Sequence, residues 1–258
     1  MAKHSSTDVG FFLVGGRDLV GVTTEFTEER EALTEDATPV GSTGAWPTHL
    51  ATGALKASLT QNGIYDDAAL LNNEAFITTG TTPTQQSTAQ VAAFNVEGNT
   101  VGKKFVAFAG AFAAKVTRLL AMNGLTKMNA AYTVTGSVDE PTILHALGTE
   151  STATGHTNAT SVDNAALTNT GGVAHVQVPA LTLGGYTSCT LTVRHSLDNS
   201  TFADLVAMTT VPTATVPCAE RKVFASGGTI NRYLSSQWAF VGSGSGMSVK
   251  FLLGFART

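Results

Sequence analysis

Apolar and polar residues alternate with period two along much of the chain, the pattern of strands with one buried face. Leu55, Ala57 and Leu59 alternate with Lys56, Ser58 and Thr60. Ala130, Tyr132 and Val134 alternate with Ala131, Thr133 and Thr135. Val176 and Val178 alternate with His175 and Gln177, and Cys189, Leu191 and Val193 with Thr190, Thr192 and Arg194. Met247, Val249, Phe251, Leu253 and Phe255 share one face of a last strand. The stretch 101–108 is apolar on both faces and predicts a fully buried strand. Turn chemistry separates these runs at Gly15-Gly16, Asn62-Gly63, Asn123-Gly124, Asp198-Asn199-Ser200 and the Gly/Ser run 242–246. Each predicts a hairpin or loop. Helix is scarce: Asp66-Asp67 suits the cap of a short helix over 68–76. The stretch 113–122 reads better as a strand in which Val116, Leu120 and Met122 share a face.

Composition strengthens the β reading. Of 258 residues, 43% are hydrophobic and only 13% charged, against a usual charged share of about 25%. Small polar residues replace the charge, with about 40 threonines and 26 glycines. Threonine is β-branched and suits strands. This balance excludes a disordered chain and a coiled coil. A net charge of −4 without a Lys/Arg cluster argues against a grip on nucleic-acid phosphates. No apolar run of 18 residues offers a membrane span, so no membrane insertion is expected. Cys189 and Cys218 are too few for a disulfide framework or a zinc cluster, and read as buried thiols kept in a reducing cytoplasm.

The chain divides at a Thr/Asn/Gly-rich stretch, 148–172, that reads as a linker or long loop. It separates a β domain over 1–147 from a second over 173–258. The halves share an order of elements. Lys104-Phe105-Val106-Ala107 matches Lys222-Val223-Phe224-Ala225, and the offset between Lys104 and Lys222 equals that between Gly136 and Gly254. Duplication is therefore expected.

No nucleophile elbow, Walker loop, dinucleotide fingerprint or H-E-x-x-H motif occurs, so no catalytic, cofactor or metal residue is assigned and no enzyme is expected. The six histidines are scattered; His195 reads as a hydrogen-bonded histidine at the edge of the core. One charge feature stands out. Glu25, Glu28, Glu29, Glu31, Glu35 and Asp36 surround a single cation, Arg30. Such a run is either a solvated edge that blocks stray strand pairing or a negative surface that lets DNA slide past. Thr43, Trp46 and Pro47 lie in a Gly/Thr-rich loop, where the indole either covers its own core or buries into a partner.

These residues resemble a family, the major tail tube proteins of long-tailed, siphovirus-like bacteriophages. Gly16-Arg17-Asp18-Leu19 resembles the family's opening hairpin. The charged stretch to Glu31-Ala32-Leu33 leads into the Trp46 loop. Thr52-Gly53-Ala54-Leu55 through Gly63-Ile64-Tyr65-Asp66-Asp67 is similar to the returning strand. From Gly171-Gly172-Val173 through Asp198-Asn199-Ser200 to Gly254-Phe255-Ala256-Arg257, the chain resembles the C-terminal part of such proteins from phages of actinobacteria. The resemblance implies two mainly-β, sandwich or half-barrel units with at most one or two short helices. It implies a virion structural protein, located in the tail and made in the host cytoplasm. Copies would close into rings and stack into the tube through which DNA is ejected. Thr43, Trp46 and Pro47 are then inter-ring loop residues, and Glu25, Glu28 and Glu29 face the lumen. The expected partners are the chain itself, other tail proteins and passing DNA.

Length leaves two arrangements open. Two tube domains per chain give a trimeric, pseudo-hexameric ring; one tube domain with an outer decoration gives a hexamer. Alternatives of other kinds are a capsid decoration or head–tail connector protein and a carbohydrate-binding β-sandwich for host attachment. Trp238 and Tyr132 fall on apolar strand faces, which leaves few aromatics for sugar.

Overall fold

The structure, a computed structural model, describes residues 9–36, 49–64, 89–120 and 124–258, with side chains left out at 33–36 and 49–55. The 68–76 helix, Asp66-Asp67 and the loop residues Thr43, Trp46 and Pro47 lie outside the described residues.

The chain is mainly β, and no α-helix occurs among the described residues. The first unit holds β1 (Phe11–Val14), β2 (Arg17–Asp18), β3 (Thr23–Asp36), β4 (His49–Ile64), β5 (Gln90–Asn95), β6 (Val106–Leu119) and β7 (Lys127–Asp139). The second holds β8 (Thr142–Glu150), β9 (Thr154–His156), β10 (Val162–Asp163), β11 (Gly172–Thr182), β12 (Ser188–Ser196), β13 (Ala203–Ala207), β14 (Cys218–Phe224), β15 (Tyr233–Val241) and β16 (Ser248–Arg257).

The first seven strands form one sheet in the order β2-β1-β5-β6-β7-β4-β3. Its inner face curls around Phe12, Phe94, Phe108, Leu59, Met128 and Tyr132. Phe26, on the edge strand β3, stacks on Phe12 at 5.8 Å and meets Phe94 edge-on at 4.8 Å. Opposite ends of the sheet order thus touch across the core, as in a half-barrel. The Tyr132 hydroxyl, buried among these rings, donates to Gln61 Oε1 at 3.3 Å, and Gln61 Nε2 donates to Thr23 Oγ1 at 2.8 Å. That chain satisfies polar groups that would otherwise be costly to bury.

The remaining strands make two sheets packed face to face. A middle sheet runs β14-β11-β16-β8, and an outer sheet contains β10-β15-β12-β13 with β9 on β15. Between them lies the largest apolar cluster, with Val176, Val178, Leu191, Val193, Trp238, Phe251, Leu253 and Phe255. The other face of the middle sheet meets the first unit. Leu252 and Ile143 pack on Phe11, Leu13, Ala93, Phe105 and Ala107. This explains why β11 is buried on both faces although its sequence alternates: His175 and Gln177 point into the junction between units.

Several sequence expectations hold. Val14 pairs with Arg17 across Gly15 and Gly16, whose φ values of 57° and 83° suit the two-residue hairpin. The alternation in 55–60 and 130–135 places Ala57, Leu59, Ala130 and Tyr132 inside. The strand reading of 113–122 agrees with β6 as far as Leu119, but Leu120 lies beyond the strand and is exposed, and Met122 lies outside the described residues.

Others are corrected. Asn62-Gly63 is no turn but the interior of β4, pairing with Glu25, Thr23, Asn129 and Met128. Gly63 is needed because a Cβ there would meet the Val22 carbonyl oxygen at 2.4 Å. The strand predicted over 101–108 starts only at Val106, after a turn closed by Lys103 N–H on the Thr100 carbonyl. The 242–246 run crosses from the outer to the middle sheet rather than closing a hairpin. The matched halves also pair differently. Strands β6 and β7 form one hairpin, whereas β14, β15 and β16 divide between two sheets. The boundary drawn at 147/148 falls inside β8, which pairs with β16 and belongs with the second unit. The stretch read as a linker, 148–172, carries β9 and β10, which pair with β15 on the outer sheet.

Candidate functional site

Strands β6, β7, β4 and β3 run as a four-stranded antiparallel ribbon at the far side of the first sheet. Their inner faces supply the half-barrel core. Their outer faces are exposed or half-exposed, and the register fixes which residues share them. Glu25 pairs with Asn62, Asn62 with Asn129, and Asn129 with Thr117. The next row is Thr27, Thr60, Ala131 and Lys115. A third is Glu29, Ser58, Thr133 and Phe112. The middle of the ribbon is thus small and mostly uncharged, with a shallow depression of about 210 Å³ between Thr60, Asn62, Lys115 and Asn129.

Strand parity splits the three acidic candidates. Glu25 and Glu29 lie on the outer face with Thr27 and Glu31, since residues two apart share a face. Glu28 lies on the inner face with Phe26 and Arg30, opposite Leu59. It pairs with the Arg30 guanidinium, which also donates to Glu140 at 3.2 Å. Burial alone would lower the Arg30 pKa, but Glu28 and Glu140 hold it raised. The three carboxylates therefore do not form one surface. Glu25 accepts from Asn62 Nδ2 at 3.1 Å on the outer face.

The lysines of this surface were not singled out by the sequence reading. Lys56 stands opposite Glu31 on β4, Lys127 opposite Ile64 on β7, and Lys115 opposite Ala131 on β6. On the outer face the carboxylates follow β3, Lys56 faces one of them from β4, and Lys127 and Lys115 lie on β7 and β6. The signal was the period-two pattern, which becomes informative only once the pairing register is known.

One end of the ribbon projects. Strands β3 and β4 stay paired from Arg30 and Ala57 out to Asp36 and His49, beyond the last pair of β4 with β7 at Ser58 and Thr133. At about 3.3 Å per residue this two-stranded arm is about 20 Å long.

The junction between the units carries the other polar cluster. Asp139, at the end of β7, accepts from His175 Nε2 at 2.7 Å and from Arg221 Nε at 2.8 Å. Burial would raise its pKa, but these two partners hold it well below the usual carboxylate range. Beside it the Gly16 N–H donates to Gln177 Oε1 at 2.7 Å, Gln177 Nε2 donates to the Val91 carbonyl, and Lys250 reaches Asp18 at 3.3 Å. This cluster ties the end of β7 and the β1–β2 hairpin to the middle sheet.

Other candidate chemistry resolves into structure. His195 Nδ1 accepts the Asn231 N–H at 3.2 Å, and burial lowers its pKa. Cys189 and Cys218 are unpaired, and burial pushes their thiols up to about 12 and about 11. Trp238 is buried with its indole N–H on Thr152, and Tyr132 is buried in the half-barrel, so neither offers a sugar platform. Among the described residues no three His, Cys, Asp or Glu side chains gather as a metal site. No helix among them is long and apolar enough to cross a membrane.

No family model matches the chain, and no curated protein does. Among solved structures, a chain from the virion of a native gene transfer agent particle is similar over 54% of this chain and 98% of its own. Its identity is 15% and its TM-score 0.41. The SPP1 tail tube matches 54% of this chain and 78% of its own, at 13% identity and TM-score 0.39. The SPP1 Dit protein, described as a paradigm of the hub adsorption apparatus in phages infecting Gram-positive bacteria, matches 96% of this chain and 99% of its own. There the identity is 13% and the TM-score 0.34. Alignments this loose fix neither fold nor function.

Proposed function

We propose that the chain is a virion structural protein, a tail tube subunit that self-assembles into stacked rings around a DNA-conducting channel. The observation that carries this reading is the four-stranded ribbon. Its inner face packs the half-barrel core, while the middle of its outer face is a wall of Thr, Ser, Asn and Ala side chains on which Glu25, Glu29 and Glu31 are matched in number by Lys56, Lys115 and Lys127. Each lysine of such a wall is offset by a carboxylate and its middle is uncharged, so it offers phosphates no net positive grip and DNA slides. The chain's net charge of −4 fits the same demand. Glu25 and Glu29 belong to this wall; Glu28 belongs to the core side.

Closure into a ring also answers the exposed edges. A long unpaired strand edge invites uncontrolled pairing, and a closed barrel removes it. The projecting β3–β4 arm leads to Thr43, Trp46 and Pro47, the residues we assign to contact with the next ring. The second unit packs on the first through its middle sheet and shows a different pairing pattern. We therefore assign it as an outer decoration and assign six copies to each ring.

Mass measurement of the purified assembly tests this. Rings should weigh six times the 26.6 kDa chain. Rings of three chains would restore the two-tube-domain arrangement, and an absence of any ring would remove the tube reading.

A further inference from the structure

We infer that the acidic stripe of β3 is a self-recognition surface, which joins to Lys115 on β6 of a second copy of this chain. This rests on the ring reading above and adds the edges, the register and the charges that would make the joint.

Among the described residues the ribbon has two edges that are paired on one side only, and they lie at the same level. Strand β3, among the described residues, pairs only with β4. Strand β6 pairs with β5 only from Val106 to Ala111, so among the described residues its stretch from Phe112 to Leu119 has a partner only in β7. The register carries Glu25 across to Thr117 and Glu29 across to Phe112, so both edges occupy the same height. Four antiparallel strands are an even number. Strands β3 and β6 therefore run in opposite directions, and a neighbouring copy in the same orientation sets its β3 antiparallel to β6. The sheet continues from copy to copy with no reversal.

The side chains agree with that placement. Without a register shift, Lys115 of one copy falls on the row of Thr27 in the next. It then sits diagonally between Glu25 and Glu29 on the same face, within reach of both. On the two edge strands themselves the outer face carries Glu25, Glu29 and Glu31 on β3 and Lys115 on β6, so each copy complements the next in a head-to-tail contact, the type that closes into rings. Exposed ion pairs add little stability singly, but they select partner and register, and like charges in their place are penalised. The carboxylates that would block stray pairing of β3 thus admit one basic edge.

The test uses charge exchange in the full chain, read by negative-stain microscopy and mass. The E25K/E29K double variant and the K115E variant should each lose rings while keeping the wild-type circular dichroism spectrum. An equimolar mixture of the two should regain rings, because alternating copies make every joint Lys-to-Glu. The triple variant should regain them alone. If either charge variant forms rings as readily as wild type, the joint is overturned while the ring reading stands. Folded variants that fail to recover on mixing also overturn it. A wild-type chain that never forms rings overturns the ring reading itself.

Discussion

At Asp139 two side chains of the middle sheet converge on one carboxylate of the first unit. His175 is 1% exposed and the Asp139 side chain 12% exposed, so the cluster is largely dry. Removing one partner of a buried charged group leaves the others uncompensated. Asp139→Asn should therefore cost about 2 kcal/mol at pH 7, measured by urea unfolding. The pH dependence follows from the direction of the shift. The folded carboxylate titrates below the ordinary aspartate value of 3.8, so its contribution is fully present above that value. It fades as the pH falls through the depressed value, and the gap between wild type and variant should narrow there. The alternation in β11 made His175 and Gln177 legible as one polar face. Their partners were not legible, because Asp139 lies 36 residues away and Gly16 lies 161 residues away, beyond any local period.

At the scale of elements, local pattern and turn chemistry sufficed where a strand pairs with its neighbour in sequence. The Gly15-Gly16 hairpin, the Asp198 turn before β13 and the inward faces of β4 and β7 follow from residues a few positions apart. One error shows why the local pattern falls short. Asn62-Gly63 reads as a turn by composition, yet Gly63 is present because the Val22 backbone crosses it. A close approach and a turn both select glycine, and only tertiary structure separates them. Gly16 meets both demands at once. Its φ is +83°, and a Cβ would lie 2.4 Å from the backbone nitrogen and oxygen of Cys218 in the second unit. Gly16→Ala should lower stability by about 2 kcal/mol or more and weaken the junction. Limited proteolysis should then cleave between the units sooner than in wild type. Unchanged proteolysis and an unchanged melting temperature would show that the junction yields at little cost.

For the whole molecule, the fold class was legible from threonine-rich alternation and scarce charge, but the topology was not. The apparent duplication matched an order of strands and turns that two different pairing schemes both satisfy. Strand order in a sheet is set by long-range packing, here the contact of Leu252 and Ile143 with Phe11 and Phe105. The candidate surface was half legible. The acidic run was visible as composition, but its division into Glu25 and Glu29 outside and Glu28 inside needed the register with β4. Its basic counterpart at Lys115 needed the register of two more strands. Self-assembly is the claim on which the functional reading depends, and negative-stain microscopy of the purified wild-type chain over rising concentration tests it most directly. Rings with a central hole, stacking into tubes as concentration rises, are the expected result. A folded protein that stays monomeric at every concentration would contradict it.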